Sequence, residues 1–141
     1  QHIETILKTA KIRPAVNQIE LHPYLQRPHV MPWLKEQNIA VACYSPLTPI
    51  LDGSPGPADD VIQSLAAKYK VGKADVCLQW AVDQGYAVIT TSSKVERLQA
   101  SAKTLSTFQL NKEEISQVST EGKKKDFNKF WSYFSAAGAD K

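Results

Sequence analysis

Hydrogen-bonding side chains collect at the ends of two short segments that have the composition of strands. The first segment ends with Gln18, Glu20 and His22, and the second ends with Tyr44 and Ser45. Parallel α/β proteins bind ligands beyond the carboxyl ends of their strands, so these positions are the first candidates for chemistry. The amide of Gln18 can both donate and accept, and could hold a partner amide. Tyr44 could stack on a flat ring or pack half-buried, and its position alone leaves both interpretations open.

A third segment, VITTSSKVERL (88–98), leads from a strand directly into a helix. Ser93 and Glu96 have the spacing of a capping box, which predicts that the helix starts at the strand end. The amino terminus of a helix presents unpaired N–H groups and the positive end of its dipole. With Ser92, Lys94 and Arg97 beside it, this terminus could bind an anion such as phosphate. The alternative is that the serines only cap the helix while both cations point to water.

Nucleophilic and metal chemistry find little support in the sequence. His22 has no serine or cysteine placed to pair with it, so we expect a structural histidine. Glu20 has no partner carboxylate at a spacing that a sequence can establish. Cys43 and Cys77 lie 34 positions apart in apolar surroundings without a CxxC pattern, which predicts reduced core cysteines and no metal site.

The elements that must position these residues alternate between strand and helix. Strands are predicted at 15–21, 39–45 and 86–91, with 108–110 as a possible short fourth strand, and helices near 29–37, 61–70, 74–84 and 94–105. Gly72 is expected to stop the second of these helices, and the Asn111/Glu114 pair to start another. Residues 47–58 hold three prolines and two glycines, which predicts a surface loop without regular structure. This alternation is typical of right-handed crossovers and a parallel sheet.

Length and charge limit the function classes. The chain has 141 residues, far fewer than the ~250 that a closed (β/α)8 barrel usually needs. A net charge of +3 without a concentrated basic patch does not favour nucleic-acid binding. There is no unbroken apolar stretch of membrane-spanning length, and the first residues do not have a secretory pattern. We therefore expect a soluble, cytoplasmic protein that binds neither nucleic acid nor membrane.

Three motifs in register carry a family resemblance. PAVNQIELHPYLQ (14–26), VACYSPL (41–47) and VITTSSKVERL resemble the aldo-keto reductases, in particular the fungal reductase-like branch. The resemblance implies an α/β fold, the C-terminal half of a (β/α)8 TIM barrel. It also implies NADPH as cofactor and a small-molecule carbonyl substrate that is reduced to an alcohol. Residues 1–112 would form the half-barrel, and 113–141 would form a C-terminal helix and aromatic tail of the same domain.

The resemblance also assigns roles to individual residues. Gln18 matches the glutamine that holds the nicotinamide carboxamide, and Tyr44 matches the tyrosine that stacks on the nicotinamide ring. Ser45 and Leu47 match the segment along the pyrophosphate. The residues that match the 2′-phosphate site of the adenosine are Ser92, Ser93, Lys94 and Arg97.

This chain departs from the family pattern at several places. Thr48 stands where the family usually has glycine, and Thr91 stands where its lysine is more common. Ala100 and Ser101 replace residues that reach the adenine in many members. The catalytic Asp, Tyr, Lys and His of the family have no counterpart here, so no residue is assigned a catalytic role and the chain alone is expected to be inactive. The alternative is a stand-alone half-barrel with a binding or structural role, in which a homodimer could close the sheet. The expected protein partner is therefore either a second copy of the chain or a missing N-terminal half.

Overall fold

A small parallel sheet organises the part of the chain that the structure describes. The structure is a computed structural model that describes residues 2–130. Within that range, strands β1 (Val16–Glu20), β2 (Ala40–Tyr44) and β3 (Ala87–Val88) pair in the order β1-β2-β3, and both pairings are parallel. The α/β prediction is therefore confirmed, with a sheet whose carboxyl ends share one edge.

Helices connect and flank the strands. They are α1 (His2–Thr9), α2 (Val30–Glu36), α3 (Asp59–Tyr69), α4 (Lys73–Val82), α5 (Val95–Thr104) and α6 (Lys112–Gly122), with a short 3-10 helix at Thr48–Ile50. The helices predicted near 29–37, 61–70 and 74–84 correspond to α2, α3 and α4. Helix α1 has no counterpart among the predicted elements. Within residues 2–130, no helix combines the length and apolar composition that a bilayer crossing needs.

The core lies between one face of the sheet and the helices. Val41 and Cys43 alternate on that face of β2, and they pack with Leu34, Ile62 and Trp80 in one buried cluster. Both cysteines are free and buried, as the sequence predicts. Burial raises the pKa of each thiol to about 12, so neither is a ready nucleophile.

The opposite face of the sheet is largely open. Val16 is 55% exposed, and Gln18, Ala40 and Ala87 are also exposed. The register pairs Gln18 with Ala42 and Ala42 with Ala87, which places these side chains on the same side. The helices among residues 2–130 therefore cover one side of the sheet and leave these positions on the other side exposed.

Several local predictions are wrong. Residues 108–110 form no strand, although Leu110 is buried and its N–H bonds to Asp83 Oδ2 at 2.7 Å. Helix α3 ends through Lys70 in the left-handed conformation (φ 56°), and Gly72 is instead the N-cap of α4. The backbone N–H of Lys70 still donates to the carbonyls of Ala66 and Ala67, so the left-handed residue closes the helix end without losing that donor.

In the carboxyl-terminal half of the chain, the predicted start of a helix at Asn111 is confirmed. Asn111 and Glu114 form a complete capping box at the start of α6, with both bonds at 2.9 Å. The domain boundary at residue 112 stays a prediction. Trp131, Tyr133 and Phe134 of the predicted aromatic tail lie outside the described residues.

Candidate functional site

Strands β1 and β2 bring Gln18 and Tyr44 to the same face of the sheet. The register pairs Gln18 with Ala42 and Glu20 with Tyr44, so the glutamine and the tyrosine are diagonal neighbours on adjacent strands. Gln18 is exposed and Tyr44 is half-buried. A flexible amide and a flat aromatic ring thus lie side by side near the carboxyl edge of the open face.

A sharp turn follows Tyr44 and aims the chain along that edge. Ser45 adopts a left-handed conformation (φ 55°), which is uncommon outside glycine. Its carbonyl accepts two bonds from Thr48, one from the backbone N–H at 3.2 Å and one from the hydroxyl at 2.9 Å. Leu47 then caps the 3-10 helix. The turn directs the segment after β2 toward β3 and α5.

A cleft of about 480 Å³ lies between this turn, β3 and α5. Its walls are mainly apolar, with Leu47, Val88 and Leu98 among them, while Ser92 and Arg97 add a hydroxyl and a guanidinium. A second, smaller cleft of about 180 Å³ is lined by Ser45, Leu47, Thr90 and Thr91 together with Asp52 and Lys129. Leu47 borders both clefts.

The start of α5 differs from the predicted capping box. Lys94 is the N-cap, with extended backbone and no side-chain cap bond, so Ser93 and Glu96 do not form the box. Ser92 caps the turn instead, because its hydroxyl accepts from the N–H of Lys94 at 3.1 Å. Ser93, Lys94 and Arg97 are exposed. Of the four predicted phosphate contacts, Ser92 and Arg97 line the larger cleft.

Buried electrostatics surround Tyr44. Burial raises the pKa of its hydroxyl, and the negative charge of Glu20 adds to that effect. His22 is fully buried and its Nε2 lies 3.2 Å from Glu20 Oε1. Burial lowers the pKa of His22 although Glu20 acts in the opposite direction. In a neutral imidazole that donates from Nε2, Nδ1 is an acceptor, and it has no hydrogen-bond partner among the described residues. This geometry fits a structural role for His22.

Sequence reasoning missed the residues that reach this site from the far end of the chain. Lys129 pairs with Asp52 at 2.6 Å, and the ring of Phe130 lies 5.7 Å from that of Tyr44 in an edge arrangement. The bond from Lys129 lowers the pKa of the Asp52 carboxyl. The partners in these contacts lie more than 75 positions apart in the sequence, so no local sequence pattern could predict them. The aromatic composition of the tail was the only available signal.

Comparison with known proteins settles the family of this chain. The sequence profile of the aldo/keto reductase family matches residues 1–120. The chain belongs to the aldo/keto reductase family.

Individual relatives agree with this assignment. The NADPH-dependent D-xylose reductase of Meyerozyma guilliermondii is 36% identical, over 93% of this chain and 44% of the reductase. An aldo-keto reductase from a Medee basin deep-sea metagenome library has a TM-score of 0.78 at 25% identity, over 92% of this chain and 48% of its own. A mutant of the protein Gox0644 in complex with NADPH has a TM-score of 0.73 at 28% identity, over 85% and 42%. The chain thus spans less than half the length of these relatives, and its fold is the corresponding part of theirs.

Proposed function

We propose that this chain is the cofactor-binding half of an NADPH-dependent reductase that converts a small-molecule carbonyl compound to an alcohol. The observation that carries the proposal is the juxtaposition of Gln18 and Tyr44 at one sheet edge, from which the turn at Ser45 leads to the cleft that ends at Arg97. Family membership and the NADPH-dependent relatives support it. In the proposed enzyme, bound NADPH supplies the hydride.

The described residues offer suitable partners for each part of such a cofactor. The Gln18 amide can pair with a carboxamide, and the Tyr44 ring gives a flat face for a heteroaromatic ring. Ser45 and Leu47 border the smaller cleft, where a pyrophosphate would lie. Arg97 is the residue best placed for a 2′-phosphate, because a guanidinium forms bidentate bonds with phosphate and this one borders the larger cleft. The further partners proposed for that phosphate are Ser92, Ser93 and Lys94.

Positioning alone does not complete the reaction. Reduction of a carbonyl also needs an acid that protonates the oxygen as the hydride arrives at carbon. Tyr44 is proposed as a stacking surface for the nicotinamide and not as this acid. We assign no catalytic residue within this chain, and we propose that turnover requires a second half that provides the acid and the substrate wall.

A fluorescence titration tests the cofactor site. NADPH and NADH, which lacks the 2′-phosphate, are titrated into the full chain, into Lys94→Ala/Arg97→Ala, and into Lys103→Ala as the control. Lys103 lies in the last turn of the same helix α5, away from its amino terminus. We expect the double variant to bind NADPH at least about tenfold more weakly than the original chain, since charge-assisted bonds to phosphate are lost. It should also lose the preference for NADPH over NADH. Equal NADPH binding by the chain and the double variant would contradict the phosphate assignment.

A complementation assay tests the proposed activity. The chain is co-expressed with the amino-terminal half of a whole-length xylose reductase, and NADPH oxidation is followed with a panel of aldehydes. Turnover is expected only with both halves together, and it should fall sharply when the chain carries Tyr44→Ala. Turnover by the chain alone would refute the requirement for a second half.

The second candidate is a stand-alone half-barrel with a binding or structural role. The observation that favours it is the open sheet face, where Val16 is 55% exposed and Gln18 and Ala40 are exposed as well. An uncovered sheet with open edges tends to pair with another chain. A homodimer could cover this face, so a measurement of the oligomeric state of the chain in solution is a direct test.

A further inference from the structure

The residues that follow α6 lie across the carboxyl ends of β1 and β2 and are held there by hydrogen bonds. We call residues 125–130 the strap. Lys125 Nζ donates to the Gly53 carbonyl and, at 3.0 Å, to the Pro55 carbonyl, and the N–H of Phe127 donates to the Tyr24 carbonyl at 3.3 Å. The strap therefore holds both the turn after β1 and the loop after β2.

The last two residues of the strap donate hydrogen bonds to a single buried carboxylate. Glu20 is 1% exposed. Its Oε1 accepts the N–H of Lys129 at 2.9 Å and faces His22 Nε2 at 3.2 Å. Its Oε2 accepts the N–H of Phe130 at 3.4 Å, and the same N–H also donates to Asn128 Oδ1 at 3.1 Å. Three donors thus converge on one negative group, an arrangement that compensates the cost of burying its charge.

The strap ends against Tyr44. Phe130 places its ring 5.7 Å from the Tyr44 ring at an angle of 69°, and Tyr44 is the register partner of Glu20 across the two strands. Edge contacts between aromatic rings are favourable and directional, so they limit the orientations that each ring can adopt. The carboxylate and the aromatic pair therefore form one connected unit.

We propose that Glu20 is a positioning residue, whose buried carboxylate anchors the strap and thereby sets the place of the Tyr44 ring through Phe130. The isosteric amide cannot replace it. A glutamine at position 20 has one acceptor oxygen and one NH2 group, so it can serve the two donors at Oε1 only by turning its NH2 toward the Phe130 N–H. The bond from the Phe130 N–H to position 20 is then lost, and this N–H keeps only its bond to Asn128 within the strap, so Phe130 is no longer tied to β1. The consequence for cofactor binding rests on the proposed function, while the anchoring itself does not.

NMR of the full chain tests the anchoring without any cofactor. Glu20→Gln is expected to speed amide exchange at Lys129 and Phe130 by several-fold and to shift the Tyr44 ring resonances. The Lys129 bond loses its charge assistance, and the Phe130 N–H keeps only its bond to Asn128. Phe130→Leu should shift the same ring resonances even if Glu20→Gln does not fold. Glu36→Gln, on the exposed end of α2, is the control and should change neither. Unchanged Tyr44 resonances in Phe130→Leu would overturn the proposal, as would unchanged exchange in a folded Glu20→Gln.

A pair of ligands separates positioning from general damage. NADPH has a nicotinamide that would contact Tyr44, whereas 2′,5′-ADP carries only the adenosine and phosphate part. Both Glu20→Gln and Phe130→Leu should weaken NADPH binding by several-fold and leave 2′,5′-ADP binding unchanged. Equal NADPH binding by the original chain and both variants would overturn the positioning role. If the original chain binds neither ligand while the ring resonances shift as expected, the proposed function fails and the anchoring by Glu20 stands.

Discussion

Thr48 shows how one residue adapts to a position where the family resemblance predicts glycine. Its side chain is 2% exposed, and its hydroxyl donates to the Ser45 carbonyl at 2.9 Å. Glycine could offer only the backbone N–H at this turn, whereas threonine adds a second bond to the same carbonyl. The departure therefore strengthens the turn after Tyr44. The two bonds that Thr48 donates to the Ser45 carbonyl stabilise the left-handed conformation of Ser45.

Gly122 permits a close approach between α6 and the turn after β1. A Cβ atom there would collide with the Pro23 carbonyl oxygen and lie 2.7 Å from the carbonyl carbon. These are backbone atoms that cannot rotate aside. We expect Gly122→Ala to lower the free energy of unfolding by about 1–3 kcal/mol, as for other overpacked contacts. Urea unfolding followed by tryptophan fluorescence measures it.

The control for this variant is Thr120→Ala, at an exposed position of the same helix. It should change stability by less than about 0.5 kcal/mol. Equal stability of Gly122→Ala and the original chain would mean that α6 can move away from Pro23 without loss of packing.

At the scale of elements, Glu114 joins α6 to α3. Its carboxylate accepts from Lys68 Nζ at 2.5 Å and from the Tyr69 hydroxyl at 2.7 Å, and it also closes the capping box with Asn111. Burial acts against the charged form, but together the bonds from Lys68, Asn111 and Tyr69 outweigh it and lower the pKa of Glu114 below its ordinary value of 4.5. The charged carboxylate therefore belongs to the folded state.

Stability should consequently depend on pH through this group. The pKa of Glu114 is lower in the folded than in the unfolded chain. Its contribution to the free energy of unfolding is therefore complete above pH 4.5 and is lost as the pH falls through the folded-state pKa. Glu114→Gln removes it at every pH. The stability difference between the chain and this variant should thus be largest near neutral pH and shrink on acidification below 4.5. Thermal melts at a series of pH values measure it.

The matched control is Glu113→Gln, one position earlier on α6 and exposed. Its difference from the original chain should stay small across the same pH series, since an exposed carboxylate contributes little. A difference for Glu114→Gln that does not change with pH would contradict the role of the charged carboxylate.

Element boundaries were predictable where one short segment contains its own signal. The capping box at Asn111 and Glu114 and the runs that became β1 and β2 are such cases. The box expected at Ser93 and Glu96 failed because Ser92 satisfies the Lys94 N–H and the helix starts later. Glu20 could be predicted to lie at a strand end, but its partners at positions 129 and 130 could not. Such contacts depend on where α6 directs the chain, which is a property of the assembled fold.

At the scale of the whole molecule, the helices among residues 2–130 cover one side of the sheet, and the other side is exposed except at its carboxyl end, where the strap contacts Glu20 and Tyr44. The open face carries Val16 at its edge strand β1, 55% exposed, while relatives of more than twice the length have further chain available to cover it. Burial of apolar area stabilises an assembly by ~25 cal/mol per Å². An exposed apolar face beside an unpaired strand edge is therefore a strong drive for association.

We expect the isolated chain to associate through this face. Light scattering after size exclusion should give a mass well above the 15.6 kDa of one chain, rising with concentration. Val16→Lys should shift the mass toward one chain, because a buried lysine would be left without a partner. Ile12→Lys is the control, since Ile12 is 88% exposed but lies before β1 rather than on the sheet. If the original chain runs at 15.6 kDa at every concentration, the homodimer is refuted, and the amino-terminal half of a reductase is then the candidate partner for the open face.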